Sequence, residues 1–349
     1  MGTGQQMLTG SFLILFINLK GDKEMKKSLK TNLLSLTLSL LLAASLLGGC
    51  TQSSTDNASK TNSSSTGFPV TVTNYDGTEL TISQKPERIA SLTLGMDEML
   101  LEMADESRIV GLSGKTADNE AVSNVADKAS KFPKIENNIE TLLAAKPDLV
   151  IGSSWIKDEF LQQLKDNNIP YYGYKTPVTV EEQEAIILDL SKVLGESDKG
   201  QSIVDDMNKR MDEVIRKSET SKDKDVKVMA YNMHGSTNAN NTIFNDIVQK
   251  IGAVNVSDDA GLDGVAKISK EKIIELNPQV LILMAWEQDD LQEFQAFADS
   301  LKTDESLKNV DAIKNGRVYT ASNRYMTSVS HHIIEGIEFM GASVYPDVF

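Results

Sequence analysis

One cysteine, three histidines and two tryptophans are all that this 349-residue chain holds of those types. The lone cysteine, Cys50, excludes an intrachain disulfide framework. Three histidines argue against a dedicated zinc or manganese binder, which gathers several side-chain ligands around one ion. Basic side chains are also scarce: five of the 35 Lys and Arg and two of the 50 Asp and Glu precede Cys50, so the rest of the chain carries a formal charge of −18. A nucleic-acid partner, which needs a basic footprint, is excluded. Gly-x-Ser-x-Gly, a phosphate loop and a nucleophile-histidine signature are all missing, and catalysis is not expected. Counting alone still leaves a two-carboxylate hydrolase open, because Asp and Glu are abundant.

What the chain does hold begins with a processing signal. Met25-Lys26-Lys27 and Lys30 form a positive region, Leu33 to Leu47 is apolar, and Leu47-Gly48-Gly49-Cys50 sets small residues before the cysteine. The apolar run is shorter than the ~20 residues a membrane span needs. Residues 1–24 fit no such signal, and Lys20-Gly21-Asp22 back-translates to a purine-rich stretch resembling a ribosome-binding site, so the expected start is Met25. The signal then covers 25–49. From Thr51 to Thr66, 12 of 16 residues are Ser, Thr or Asn, which cannot build a core; 50–67 is expected to be a flexible tether.

Beyond the tether, a thirteen-residue phrase occurs twice. Ile139 to Ile151 (IETLLAAKPDLVI) returns 131 residues later as Lys270 to Ile282 (KEKIIELNPQVLI), with a glutamate seven residues before a proline in each copy. Asn138 and Ser269 are good helix N-caps, and Glu140 and Glu271 sit where exposed amides favour negative charge. Leu142-Leu143 and Ile273-Ile274 are expected to supply the inner face of each helix. Pro147 and Pro278 end the helices, and Leu149-Val150-Ile151 and Val280-Leu281-Ile282 are the continuous apolar runs of buried parallel strands. The phrase is an α-β unit used twice.

The remaining pattern extends that unit into two lobes. Alternation around Asn74-Tyr75-Asp76-Gly77 predicts a β-hairpin. Strands at 89–92 and 108–112, a methionine-rich helix from Gly95 to Ala104, a helix from Lys157 to Asp166 and a strand from Ile169 to Tyr174 complete an N-terminal lobe over 68–178. Two successive helices follow, Val180 to Leu194 and Ser197 to about Thr220, within a connecting segment 179–225. The second is a rod of ~33 Å placed between the two copies of the phrase. Strand and helix alternate again over 226–349, with helices at Thr242 to Ile251, Leu291 to Leu301 and about Ser330 to Ser343. The expected fold is α/β, with two doubly wound parallel-sheet lobes joined by one long linker helix.

Pro86 to Leu92, Asn138 to Ile151, Ile268 to Ile282, Val310 to Tyr319 and His332 to Glu338 together resemble the substrate-binding lipoproteins of ABC importers for iron-siderophores, haem and vitamin B12. That resemblance runs over nearly all of Phe68 to Phe349. It implies a ligand in the cleft between the lobes, a lipid on Cys50 that tethers a monomer to the outer face of the bacterial cell membrane, and no resident cofactor. It also implies that Glu140 and Glu271, one per lobe, dock arginines of a permease dimer.

Ligands of open α/β sheets bind at the carboxyl ends of strands, which nominates Met96, Lys115, Trp155, Tyr174, Lys175, His234, Trp286, Arg324 and Tyr325. Trp155 and Trp286 follow the strands of the two copies and are expected to face each other. Lys115, Lys175 and Arg324 suit an anionic chelate, and Tyr174 and Tyr325 could stack or donate. His234 could touch ligand or haem iron. His331 and His332 lie ~100° apart on a helix and do not easily share a metal; His331 and Glu335, one turn apart, are expected to form a solvated pair. An iron(III)-siderophore is the first choice of ligand, cobalamin the second and haem the third.

Overall fold

The computed structural model describes residues 67–349 apart from 115, 137, 286–290 and 327–328. The expectations about the signal, the tether and Cys50, and those on Lys115 and Trp286, lie outside the described residues. The described residues open with the predicted antiparallel hairpin, β1 (Val70–Thr73) and β2 (Glu79–Ile82). The first lobe then runs β3 (Ile89–Ser91), α1 (Leu94–Met103), β4 (Ile109–Ser113), α2 (Ala126–Ala129), β5 (Lys134–Ile135), α3 (Ile139–Ala144), β6 (Leu149–Ser153), α4 (Asp158–Asp166) and β7 (Tyr171–Tyr174). Its five strands pair in the order β5-β4-β3-β6-β7, and every pairing is parallel.

Two helices separate the lobes, α5 (Val180–Leu194) and the 24-residue α6 (Ser197–Thr220). Thr179 caps α5 by accepting from the Glu182 amide, and Gly195 ends it in the left-handed conformation at φ 69°. Near its start α6 meets the first lobe, where the Lys199 ammonium donates to the Met103 carbonyl. At its end Ser221 donates to Asp347 of the second lobe. The long helix therefore bridges the lobes, as its place in the chain predicts.

The second lobe contains β8 (Lys227–Tyr231), β9 (Ser236–Asn238), α7 (Ile243–Lys250), β10 (Val254–Asn255), α8 (Val256–Asp259), β11 (Val265–Lys267), α9 (Lys270–Leu276), β12 (Val280–Leu283), α10 (Leu291–Lys302), α11 (Asp311–Lys314), β13 (Val318–Thr320), α12 (Asn323–Met326) and α13 (Ile333–Val344). A parallel sheet in the order β10-β8-β12-β13 is flanked by an antiparallel β9-β11 ribbon.

The repeated phrase folds alike in both lobes, down to its tie with the neighbouring strand. Asp148 accepts from the amides of Glu87 and Arg88 at 2.8 and 2.9 Å, just before β3. Gln279, at the equivalent position, accepts from the Lys227 amide at 2.8 Å at the start of β8. Lys146 and Asn277, the residues before the prolines, are both left-handed at φ 49° and 46°. One expectation needs correcting: only Leu142 and Ile273 are buried, whereas Leu143 is half-buried and Ile274 is 43% exposed. These helices are short and lie on the lobe surface, so their inner faces are one residue wide.

Strands β6 and β12 are buried along their whole length, and their side chains alternate between two cores. Leu149 and Ile151, with Val280 and Ile282, join one apolar cluster that continues through Leu190 of α5 and Val204 and Met211 of α6 into both lobes. Val150 faces a separate core of the first lobe, and Leu281 and Leu283 face one of the second. The shared cluster makes the connection between the lobes a packed joint rather than a loose string.

Candidate functional site

Strand order reverses between β3 and β6 in the first lobe and between β8 and β12 in the second, and crevices open at such reversals, outside the carboxyl ends of the strands. In the first lobe that position is lined by Thr93 and Leu94 at the head of α1, by Ser153 at the end of β6 and by Ser154 and Trp155 after it. Ser154 is held by the Tyr174 carbonyl, which accepts its amide at 2.7 Å, and the Tyr171 hydroxyl donates to the Ser153 carbonyl at 2.6 Å. On this braced turn the Trp155 side chain is 74% exposed. The Thr93 hydroxyl caps no amide and is shielded from water without a hydrogen-bond partner.

In the second lobe the turn after β8 is built on buried Asn232, whose side-chain oxygen accepts from the amides of His234 and Ser236 at 3.1 and 3.0 Å. Gly235 supplies the left-handed residue at φ 70° that lets the chain reverse into β9. His234 is exposed on this turn, and Lys267 of β11 donates to its carbonyl. Arg324 and Tyr325 lie on α12, both half-buried.

The segment bearing those two residues is fastened to the first lobe. The Arg324 guanidinium donates to the Glu120 carbonyl, and Asn124 donates to the Arg324 carbonyl at 2.8 Å. Glu98 of α1, fully buried, accepts from the amide and side chain of Asn124, both at 2.9 Å, and from the Ser330 hydroxyl of the second lobe. Beside it, Asp97 accepts from the Ser113 amide at 3.1 Å, and burial pushes its carboxyl up to about 7. The α-carbon of Gly95 packs so closely on the Val329 carbonyl that a side chain has no room. The sequence nominates Arg324 individually, and Gly95, Ser113, Glu120 and Asn124 only as parts of the crevice loops 93–96 and 113–134; Asp97, Glu98, Val329 and Ser330 are not nominated. The available signal was the Asp97-Glu98 pair, two consecutive carboxylates set between the apolar Met96 and Met99 of α1.

Other nominated residues sit elsewhere. Met96 is fully buried in the core of the first lobe, because its position on α1 faces the sheet rather than the crevice. Tyr174 is buried too, and with Lys175 it borders a cavity of about 260 Å³ between the hairpin tip at Asn74 and Tyr75, β7 and α5. That cavity lies at the sheet edge, one strand away from the β3-β6 reversal. A larger hollow of about 580 Å³, lined by Phe68, Lys85 and Glu196, is at the amino ends of the strands and is not a switch-point site. His331 does not pair with Glu335: it precedes α13, so helical spacing does not apply, and it is His332 that lies 3.5 Å from the Glu335 carboxylate. Among the described residues no group of three or more His, Cys, Asp or Glu is arranged to hold a metal ion.

The profile of a family described as periplasmic binding protein matches residues 89–325, more than half of the chain and both of its switch points. The chain belongs to that family. This periplasmic binding protein is 26% identical over 317 residues to the uncharacterized ABC transporter substrate-binding lipoprotein YvrC of Bacillus subtilis, covering 89% of this chain and 96% of that one. It is 23% identical over 311 residues to the Fe(3+)-citrate-binding protein YfmC of the same organism, covering 84% and 91%. The solved structure of a possible iron-binding (periplasmic solute-binding) protein from Staphylococcus epidermidis superposes with a TM-score of 0.63 at 24% identity, over 75% of this chain and all of that one, which shows the fold. The protein is therefore an extracytoplasmic substrate-binding protein of an ABC transporter and not an enzyme.

Proposed function

We propose that this binding protein captures an iron(III)-siderophore or similar anionic ferric chelate between its lobes and hands it to an ABC permease. The observation that carries the reading is Trp155: a large ring left 74% exposed at the switch point of the first lobe is costly in water and suits a ligand with an extended apolar face. Arg324 at the edge of the second lobe supplies positive charge for an anionic ligand, and Tyr325 and His234 supply donors. Lys115 and Trp286 join this set from sequence alone. Glu140 and Glu271, both exposed in the first turn of equivalent helices, are the proposed docking residues for the permease. A lipid on Cys50 is the proposed anchor.

Cobalamin is the alternative ligand, because the same exposed ring suits a corrinoid. Thermal-shift titration of the apo protein with ferric citrate, a ferric hydroxamate, haem and cobalamin separates the readings. A ligand at 100 times its Kd stabilises by about 2.7 kcal/mol, enough to raise Tm by several degrees. A ferric chelate is expected to do so, with quenching of tryptophan fluorescence that weakens in Trp155→Ala. Stabilisation by cobalamin alone overturns the ferric reading.

A further inference from the structure

Helices α3 and α9 each carry two adjacent aliphatic residues, and each buries only the first. The second is half-buried at Leu143 and exposed at Ile274, although solvent-facing helix positions are ordinarily polar. Both stand three residues after the first-turn glutamate, which places carboxylate and aliphatic side chain on one face, about 5–6 Å apart at their β-carbons. Ile274 is one of only five large apolar side chains exposed among the described residues. Leu143, at the same position in the other lobe, is half-buried rather than exposed.

The charges around these positions are arranged to leave the glutamates available. Lys270 and Lys272, on either side of Glu271, are bound by Asp304 and Glu275 at 2.5 and 2.8 Å. Neither Glu140 nor Glu271 has an ion-pair partner among the described residues. Hydrogen bonds from its own amide and from Ser269 hold the Glu271 carboxyl below its ordinary range, so it is ionised at any physiological pH.

We propose that Leu143 and Ile274 are apolar pads of the permease-docking surface. Each lobe offers a carboxylate with an aliphatic contact one turn further on, and the partner is a protein dimer that presents, once to each lobe, a cationic side chain beside an apolar patch. Two equivalent patches on two similar lobes match the two equivalent surfaces of a two-fold partner. The proposal rests on the docking reading of Glu140 and Glu271. It adds that affinity for the permease comes from burial of the pads, while the carboxylates set register and encounter rate.

The test measures capture of the full chain, without ligand, by the permease dimer in detergent micelles, using biolayer interferometry. Leu143→Ser and Ile274→Ser are each expected to weaken capture about 5- to 10-fold, the effect of losing about half the burial of one aliphatic side chain, the part not already covered in the free protein. The Tm of Ile274→Ser should match the wild type, because that side chain already faces water, and Leu143→Ser should lower it only slightly, because that side chain is half-buried. If the serine variants dock normally while Glu140→Arg and Glu271→Arg lose capture, the pads are refuted and the docking glutamates stand. If the arginine variants also dock normally, the docking reading fails and the pads with it. Sedimentation that shows a dimer of the chain dissolved by Ile274→Ser assigns the patch to self-association and likewise overturns the proposal.

Discussion

Acid should weaken this fold through one imidazole. His331 packs against His332 with ring centroids 4.2 Å apart, and its Nδ1 is buried without a partner. Burial, helped by the charge of neighbouring His332, pushes the His331 pKa down to about 4; Arg210 of α6 and Lys128 of α2 add repulsion, and only Glu335 opposes it. In the unfolded chain the same ring titrates near 6.5. Below that pH the unfolded state takes up a proton that the native state refuses, so stability is full above about pH 7 and falls as pH drops toward 4. Between pH 7.5 and 4.5 the linkage integral is about 2.5 kcal/mol, and about 2 kcal/mol after allowance for solvent at the ring's edge. Urea unfolding of the wild type and His331→Phe at both pH values isolates this contribution, since phenylalanine keeps the ring contact and cannot titrate. The variant should equal the wild type at pH 7.5 and exceed it by about 2 kcal/mol at pH 4.5. Parallel loss of stability in the two proteins would refute the reasoning.

Asp97 should act with the opposite sign. Its folded pKa is raised, so its contribution is full below the unfolded carboxylate range and is lost as pH rises through about 7; Asp97→Asn should remove about 1 kcal/mol of stability loss between pH 6 and 8, read from urea midpoints. Arg108, 5% exposed, donates to the carbonyls of Pro86 and Leu194, both at 2.8 Å, and to Glu196 at 2.9 Å. Arg108→Met should cost about 3 kcal/mol by urea unfolding, limited by Lys85, which still pairs with Glu196.

The elements legible in the sequence were those whose local signals agree. Val180–Leu194 combines a threonine cap, helical periodicity and a terminal glycine, and its expected bounds match the structure. The apolar runs at 149–151 and 280–282 are strands because burial on both faces leaves no alternation to obscure them. By contrast β5 and β10 have two residues each, too few to carry a period. Ser236-Thr237-Asn238 reads as loop, and becomes a strand only because β11 pairs with it from 27 or more residues away. Met96 shows the limit at the site: position after a strand nominates a residue for the crevice, but helical phase decides which way its side chain turns.

The junction around Glu98 was out of reach for a different reason. Glu98 and Ser330 are 232 residues apart, and no local pattern announces that they meet. Their meeting nonetheless changes how the crevice must work. Arg324 and Tyr325 belong by chain order to the second lobe, yet Glu120, Asn124 and Glu98 hold their segment to the first. A lobe movement about α6 would have to break these bonds or carry the segment with the first lobe. The shared apolar cluster through α5 and α6 resists large separation in any case, since opening it would expose packed methionines and valines to water. Small-amplitude closure is the motion this architecture permits, so a ligand held between the lobes is recognised largely by surfaces already in place; on the proposed reading Trp155 is the most exposed of them.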